Sequence, residues 1–254
     1  MKITILQTDI QWRDIAGNIF AVERLVDGAP GADLYVLPEM WATGFDTASP
    51  CDVCSSAPLE WMKTFAGSRE CAVCGSVAVF DGDGRARNRL YFVLPDGSYY
   101  YYDKHHLFAY GGEDKHYVSG NRRVVVEYKG VSFLLQTCYD LRFPVWMRNQ
   151  GDYDAMILVA NWPESRQGVW QVLLRARAIE NQCYVIGANR TGCDPSCRYA
   201  GGSAVIDSKG RTLAQSKGVE VQTVTADIDM AALHAFRKKF PVLADRDEYE
   251  FSQD

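Results

Sequence analysis

A carboxylate, an amine and a thiol each stand directly after an apolar or aromatic run. Glu39 follows LYVLP (34–38), Lys104 follows YYYYD (99–103) and Cys138 follows FLLQT (133–137). A thiol with an ordinary pKa of about 8.5 is only partly ionised at neutral pH. A carboxylate within hydrogen-bond reach can take its proton. An ammonium can stabilise the negative charge that develops on a carbonyl under attack. Together the three can carry nucleophilic acyl transfer. Singly, each has a plainer reading: Cys138 as a small buried hydrophobe, Glu39 and Lys104 as members of structural or solvated ion pairs.

The elements before them decide whether the three can meet. Ligand sites in α/β folds gather at the carboxyl ends of strands. The pattern predicts strands from Ile3 to near Asp9, over Asp33–Leu37 and Cys71–Phe80, and then over Arg89–Leu94 and Tyr99–Tyr102. Turn signals at 81–84 and 95–97 separate the last three. A hairpin is expected over Val124–Tyr128 and Val131–Gln136 around Lys129-Gly130. Further strands are expected at Ala155–Val159, Tyr184–Ala188, Gly201–Ile206 and Val221–Ile228. Helical spacing marks Ile15–Val26 after an Asp14 cap, Leu59–Arg69 after Pro58, a short helix from Pro144, then Ser165–Asn181 and Met230–Lys239. Strands and helices alternate among hairpins, so a mixed sheet or two packed sheets covered by helices is expected.

The 254 residues fit one domain spanning 1–254, and 47% hydrophobic residues suffice for a large core. A net charge of -5 offers no electrostatic case for nucleic acid or an anionic membrane. The opening MKITILQTDIQW is interrupted by polar residues and resembles no secretion signal, and no apolar stretch has membrane-spanning length. A cytoplasmic protein is expected. Its eight cysteines then read as free thiols.

The words LPEMWATGF (37–45), YDKHHLF (102–108) and TCYDLRFP (137–144) resemble the nitrilase superfamily of carbon–nitrogen hydrolases, in that family's order of Glu, Lys and Cys. GGE (111–113), NWP (161–163) and RARAIENQCYVIGANRTG (175–192) agree with it. The resemblance implies an α/β fold, a four-layer αββα sandwich that pairs into homodimers or higher homo-oligomers. It implies that Cys138 attacks an amide carbonyl while Glu39 serves as base and then acid. Lys104 and the backbone amide of Tyr139 would bind the oxyanion, and Glu113 would help hold the site. His106 would give structural support. No metal or organic cofactor is implied.

CYDLRFPVWMRN and AYGGEDKHY most resemble the ω-amidase-like branch, which hydrolyses the terminal amide of 2-oxoglutaramate or 2-oxosuccinamate. Such a small-molecule substrate ends in a carboxylate. Arg142, four residues past Cys138, is a candidate to receive it, and pairing with a structural acid is the equal alternative. Phe45, Tyr117 and Trp162 could line the pocket or belong to the core. Deaminated-glutathione amidase and carbamoylase activities are alternatives within the superfamily. A non-catalytic binding protein is an alternative outside enzymes.

Zinc is the rival signal. Cys51-x-x-Cys54 and Cys71-x-x-Cys74 are separated by 16 residues, a zinc-ribbon spacing. However, CAVCGSVAVF reads as a strand, and strand residues three apart point to opposite faces and cannot chelate one ion. Zinc-stapled architecture is therefore not expected.

Overall fold

A computed structural model describes residues 1–251. The first half runs β1 (Lys2–Gln7), α1 (Ile15–Asp27), β2 (Leu34–Val36), α2 (Pro50–Val53), α3 (Ala57–Arg69), β3 (Ala72–Phe80), β4 (Ala86–Val93) and β5 (Tyr99–Asp103). The second runs β6 (Val125–Tyr128), β7 (Val131–Thr137), α4 (Pro144–Met147), β8 (Ala155–Ala160), α5 (Gln167–Glu180) and β9 (Tyr184–Asn189). It continues through β10 (Thr191–Cys193), β11 (Arg198–Ala200), β12 (Ala204–Ile206), β13 (Thr212–Gln215), β14 (Gln222–Asp227) and α6 (Met230–Lys239).

Two six-stranded sheets result, ordered β14-β1-β2-β3-β4-β5 and β13-β12-β9-β8-β7-β6. In each, three central strands are parallel and the flanking pairs antiparallel. The central strands are buried on both faces, which is why LYV, AMILVA and YVIGAN are nearly unbroken apolar runs. Ile5, Val36 and Phe92 of one sheet share a core with Phe133, Ile157 and Ile186 of the other. Outside the first sheet, Val22, Val26, Met62 and Phe65 of α1 and α3 pack on Leu6, Tyr35 and Val73. Outside the second, Trp170, Leu174 and Ala178 of α5 pack on Leu158 and Val185. The layers are therefore helix, sheet, sheet, helix, as expected.

Local chemistry explains the boundaries. Asp14 Oδ1 accepts the Gly17 N–H at 2.9 Å and caps α1. Lys129 and Gly130 have φ of 48° and 75°, the left-handed pair of a tight hairpin turn, which fixes the β6–β7 register. β12 begins later than expected, at Ala204, because Gly201 and Gly202 both have positive φ and delay pairing. The α2 helix, the β10–β11 hairpin and β13 are additions to the predicted elements. The hairpin is anchored by buried Arg190, which donates to the carbonyls of Ile10 and Cys193 and lies under Tyr199.

Candidate active site

β7 delivers Cys138 through a sharp reversal. Its φ is 47°, a left-handed conformation uncommon outside glycine, and the 3₁₀ turn Cys138–Arg142 begins with it. Buried Asp140 pins that turn. One oxygen accepts from Tyr102 Oη at 2.7 Å and Thr137 N at 3.0 Å. The other accepts the His106 backbone N–H at 2.9 Å and faces His106 Nδ1 at 2.8 Å. The ends of β5 and β7 are thus held by one carboxylate. In Asp140→Asn an amide replaces an acceptor that faces donors. Ammonia release should fall by 10-fold or more while the protein loses about 1–3 kcal/mol of stability in a denaturant titration. Full activity in the mutant would refute that account of the turn.

Glu39 follows β2 and precedes Met40, itself at φ 43°. Glu39, Lys104 and Glu113 are completely buried. Lys104 Nζ donates to Glu39 Oε1 at 2.9 Å and to Glu113 Oε2 at 2.8 Å. Asn88 Nδ2 bridges the same carboxyls, at 2.8 Å from Glu39 and 3.0 Å from Glu113. Ser76 orients Asn88 by donating to its Oδ1 at 2.9 Å, and accepts the Met40 N–H at 2.9 Å. The remaining Glu39 oxygen accepts the Asn161 N–H at 2.9 Å. Phe108 N–H donates to Glu113 at 2.7 Å and ties the 105–117 loop to the cluster.

Burial and then the adjacent Glu39 carboxylate push the Cys138 thiol well above the ordinary cysteine range, with Lys104 pulling the other way. At rest the sulfur keeps its proton. Burial disfavours the Lys104 ammonium, but Glu113 and Glu39 outweigh it and hold its pKa above that of a free lysine. Burial also raises Glu113, opposed by Lys104 and reinforced by Glu39. Such a cluster can accept the thiol proton at Glu39 while an ammonium stays fixed beside the reacting carbonyl. The backbone N–H of Tyr139, in the first turn after the nucleophile, has no intrahelical acceptor and can serve the same oxyanion.

Cys138 lies on the wall of a cavity of about 250 Å³. Phe45, Tyr139, Arg142 and Trp162 line it too. Phe45 also faces Lys104 Nζ, 5.0 Å from its ring centre. Tyr117 is a correction: it does not line the cavity. It is 2% exposed, packs with Met40 and Ala86, and donates its hydroxyl to the Asp46 carbonyl at 3.0 Å, supporting the Phe45 loop from behind. The zinc-spaced cysteines diverge. Cys71 joins the helix-side core and Cys74 the inter-sheet core. Among the described residues no three His, Cys, Asp or Glu side chains are grouped to hold a metal.

Sequence reasoning missed Ser76, Asn88 and Asp140 as site supports. Asn161 lay within a quoted motif but had no role attached. It aims its backbone N–H at Glu39, and its carbonyl lies 4.0 Å from Cys138 Sγ. The one available signal was polar residues within otherwise buried strands or directly after them.

A four-layer α–β–β–α sandwich with a buried thiol, ammonium and carboxyl pair gathered at its strand ends fits a class, the hydrolases of that fold. The carbon–nitrogen hydrolase family model matches residues 2–238, and the chain belongs to that family; it is an amide hydrolase. It is 43% identical over 251 residues to the omega-amidase YafV of Escherichia coli K12, with 98% of each chain covered. It is 36% identical over 255 residues to the 2-oxoglutaramate amidase of Bacillus subtilis, covering 96% of this chain and 98% of that one. A solved CN-hydrolase superfamily protein of Xanthomonas campestris, with an arsenic adduct in its active site, superposes with a TM-score of 0.95 at 39% identity, with 99% of each chain covered.

Proposed function

We propose that this enzyme hydrolyses the terminal amide of a small 2-oxo acid, 2-oxoglutaramate or 2-oxosuccinamate, to the acid and ammonia. The carrying observation is Arg142. It lines the cavity beside Cys138, stacks 5.1 Å from the Trp162 ring, and has no ion-pair partner among the described residues. A guanidinium left unpaired beside the nucleophile suits a substrate carboxylate.

As Cys138 Sγ attacks the amide carbon, its proton passes to Glu39. Lys104 and the Tyr139 N–H stabilise the oxyanion, while Glu113 holds Lys104 in place. Glu39 then protonates the nitrogen, the C–N bond breaks and ammonia leaves a thioester. Water, deprotonated by Glu39, attacks the thioester and frees the acid and the thiol. The chain's own groups carry every step. A cavity of about 250 Å³ lies below the usual range of roughly 300–1,000 Å³ for ligand sites, which disfavours deaminated glutathione.

The two sheets share one inter-sheet core, which supports a single domain over 1–254. Val169, Val172 and Ile179 lie exposed along α5, an apolar stripe that suits a homodimer. No helix among the described residues is long and apolar enough to cross a membrane. All eight cysteines are unpaired, which suits a cytoplasmic location.

The test supplies 2-oxoglutaramate, 2-oxosuccinamate, glutamine, deaminated glutathione and N-carbamoyl amino acids, and measures ammonia. The 2-oxo amides should be turned over fastest, and Arg142→Gln should raise their KM by about 10-fold or more. Preference for deaminated glutathione or a carbamoyl compound would refute the substrate assignment.

A further inference from the structure

Arg166 closes the 3₁₀ turn Glu164–Arg166 that leads into α5, on a different element from Arg142. It lines the same cavity. Its guanidinium lies over Phe108, 5.5 Å from the ring centre, as that of Arg142 lies over Trp162. The two mounts are joined, because Trp162 Nε1 donates to the Arg166 carbonyl at 2.9 Å. Among the described residues, Arg142 and Arg166 are the only partly buried arginines whose side chains have neither an ion pair nor a hydrogen bond. The other buried or partly buried arginines, 87, 89, 123, 148, 177, 190, 237 and 246, all have one or the other. An aromatic ring can hold a guanidinium by its face and leave its N–H edge to grip an anion.

Neither guanidinium is paired with a carboxylate of the cavity. Asp194 is the sole carboxylate in its lining, and it is already engaged. Its Oδ1 accepts the Ser196 and Cys197 N–H groups at 2.8 Å each, and its Oδ2 accepts the Tyr199 hydroxyl at 2.5 Å. We infer that Arg166 is the second arm of a two-guanidinium clamp on the 2-oxo acid end of the substrate, and that it sets selectivity against amino-acid amides. A 2-oxo acid offers three oxygen acceptors in one short group, enough for two forks. Glutamine would instead bring an ammonium towards a second guanidinium. Like-charge contact of that kind is a device for rejection.

The clamp rests on the substrate reading proposed above, and the experiment separates the two. Wild type, Arg166→Gln and Arg166→Lys are compared on 2-oxoglutaramate, on glutamine and on neutral valeramide, with 2-oxoglutarate as a product inhibitor. For Arg166→Gln the ratio of kcat/KM for 2-oxoglutaramate to that for valeramide should fall about 10- to 100-fold, carried by KM. Inhibition by 2-oxoglutarate should weaken by a similar factor, and the ratio for 2-oxoglutaramate over glutamine should narrow. Arg166→Lys, which keeps the charge and loses the fork, should restore part of the loss. An equal fall on 2-oxoglutaramate and valeramide, or an unchanged ratio, would overturn the clamp. Wild type that cleaves valeramide but not 2-oxoglutaramate would overturn the substrate reading beneath it.

Discussion

Cys138→Ala should fold like the parent and release ammonia from 2-oxoglutaramate at least about 10³-fold more slowly, because no other group on the cavity wall can form the acyl intermediate. Cys197, the other thiol in the lining, lies on the β10–β11 loop with Asp194, Arg166 and Tyr199 as its polar neighbours, none of them a member of the Glu39–Lys104–Glu113 cluster. Folding should survive for a simple reason. The sulfur makes only a long 4.0 Å approach to the Asn161 carbonyl and a contact with the Glu39 carboxyl, and alanine tolerates the φ of 47° no worse than cysteine. Removing one buried atom costs about 1 kcal/mol, a shift of roughly 2–4 °C in Tm for a chain of this length. Ammonia assays beside thermal melts decide the matter. A folded mutant that kept full activity would refute the assignment of Cys138.

Lys104→Met should cost both activity and stability. Loss of an oxyanion donor typically slows a reaction by about 10²–10³-fold, and here the partner that orients Glu39 is lost as well. Stability should fall by about 3–5 kcal/mol, because two carboxyls bonded at 2.9 and 2.8 Å to a completely buried ammonium are left facing each other. The deficit should depend on pH. Burial already raises the Glu113 pKa with Lys104 opposing it, and without the ammonium it must rise further. A carboxyl whose pKa is higher folded than unfolded binds its proton more tightly in the fold. Stability is therefore lost as pH rises from the unfolded value of about 4.3 through the folded one, and recovered on acidification. Denaturant titrations of mutant and parent at about pH 5 and pH 8 should show the larger gap at pH 8. A gap that does not vary with pH would refute the coupling of Glu113 to Lys104.

Much of the site was legible because it sits at strand ends. Glu39 and Cys138 follow runs whose burial is plain from composition, whereas Lys104 ends an edge strand whose Tyr99, Tyr100 and Tyr101 are exposed and only Tyr102 is buried; the local words supplied the order of the three. The supports were not legible. Ser76 and Asn88 lie inside β3 and β4, where a buried polar residue looks like any strand position until its partner is known. Asp140 reads as one more acid in a turn, and its four contacts come from residues 102, 106 and 137. Tyr117 was left between pocket and core because an aromatic beside a glycine-containing loop suits both, and it lies in the core. Its hydroxyl found the Asp46 carbonyl, 71 residues away. The β10–β11 hairpin escaped notice because its strands are three residues each and are held largely by Arg190.

The pairing of β1 with β14 has a bearing on synthesis. Lys2 lies opposite Asp227, and Thr4 and Thr225 share a hydroxyl contact at 2.9 Å. β1, the first of these strands to be made, pairs early with β2 on one edge but finds its partner on the other edge, β14, last. At roughly 5–20 residues per second, about 10–45 s of translation pass between the two. During that time the nascent chain carries an apolar strand with one open edge, an invitation to pair with a neighbouring polysome's product. Chaperone dependence should therefore be greatest in the second half of translation, before the closing strand has left the exit tunnel.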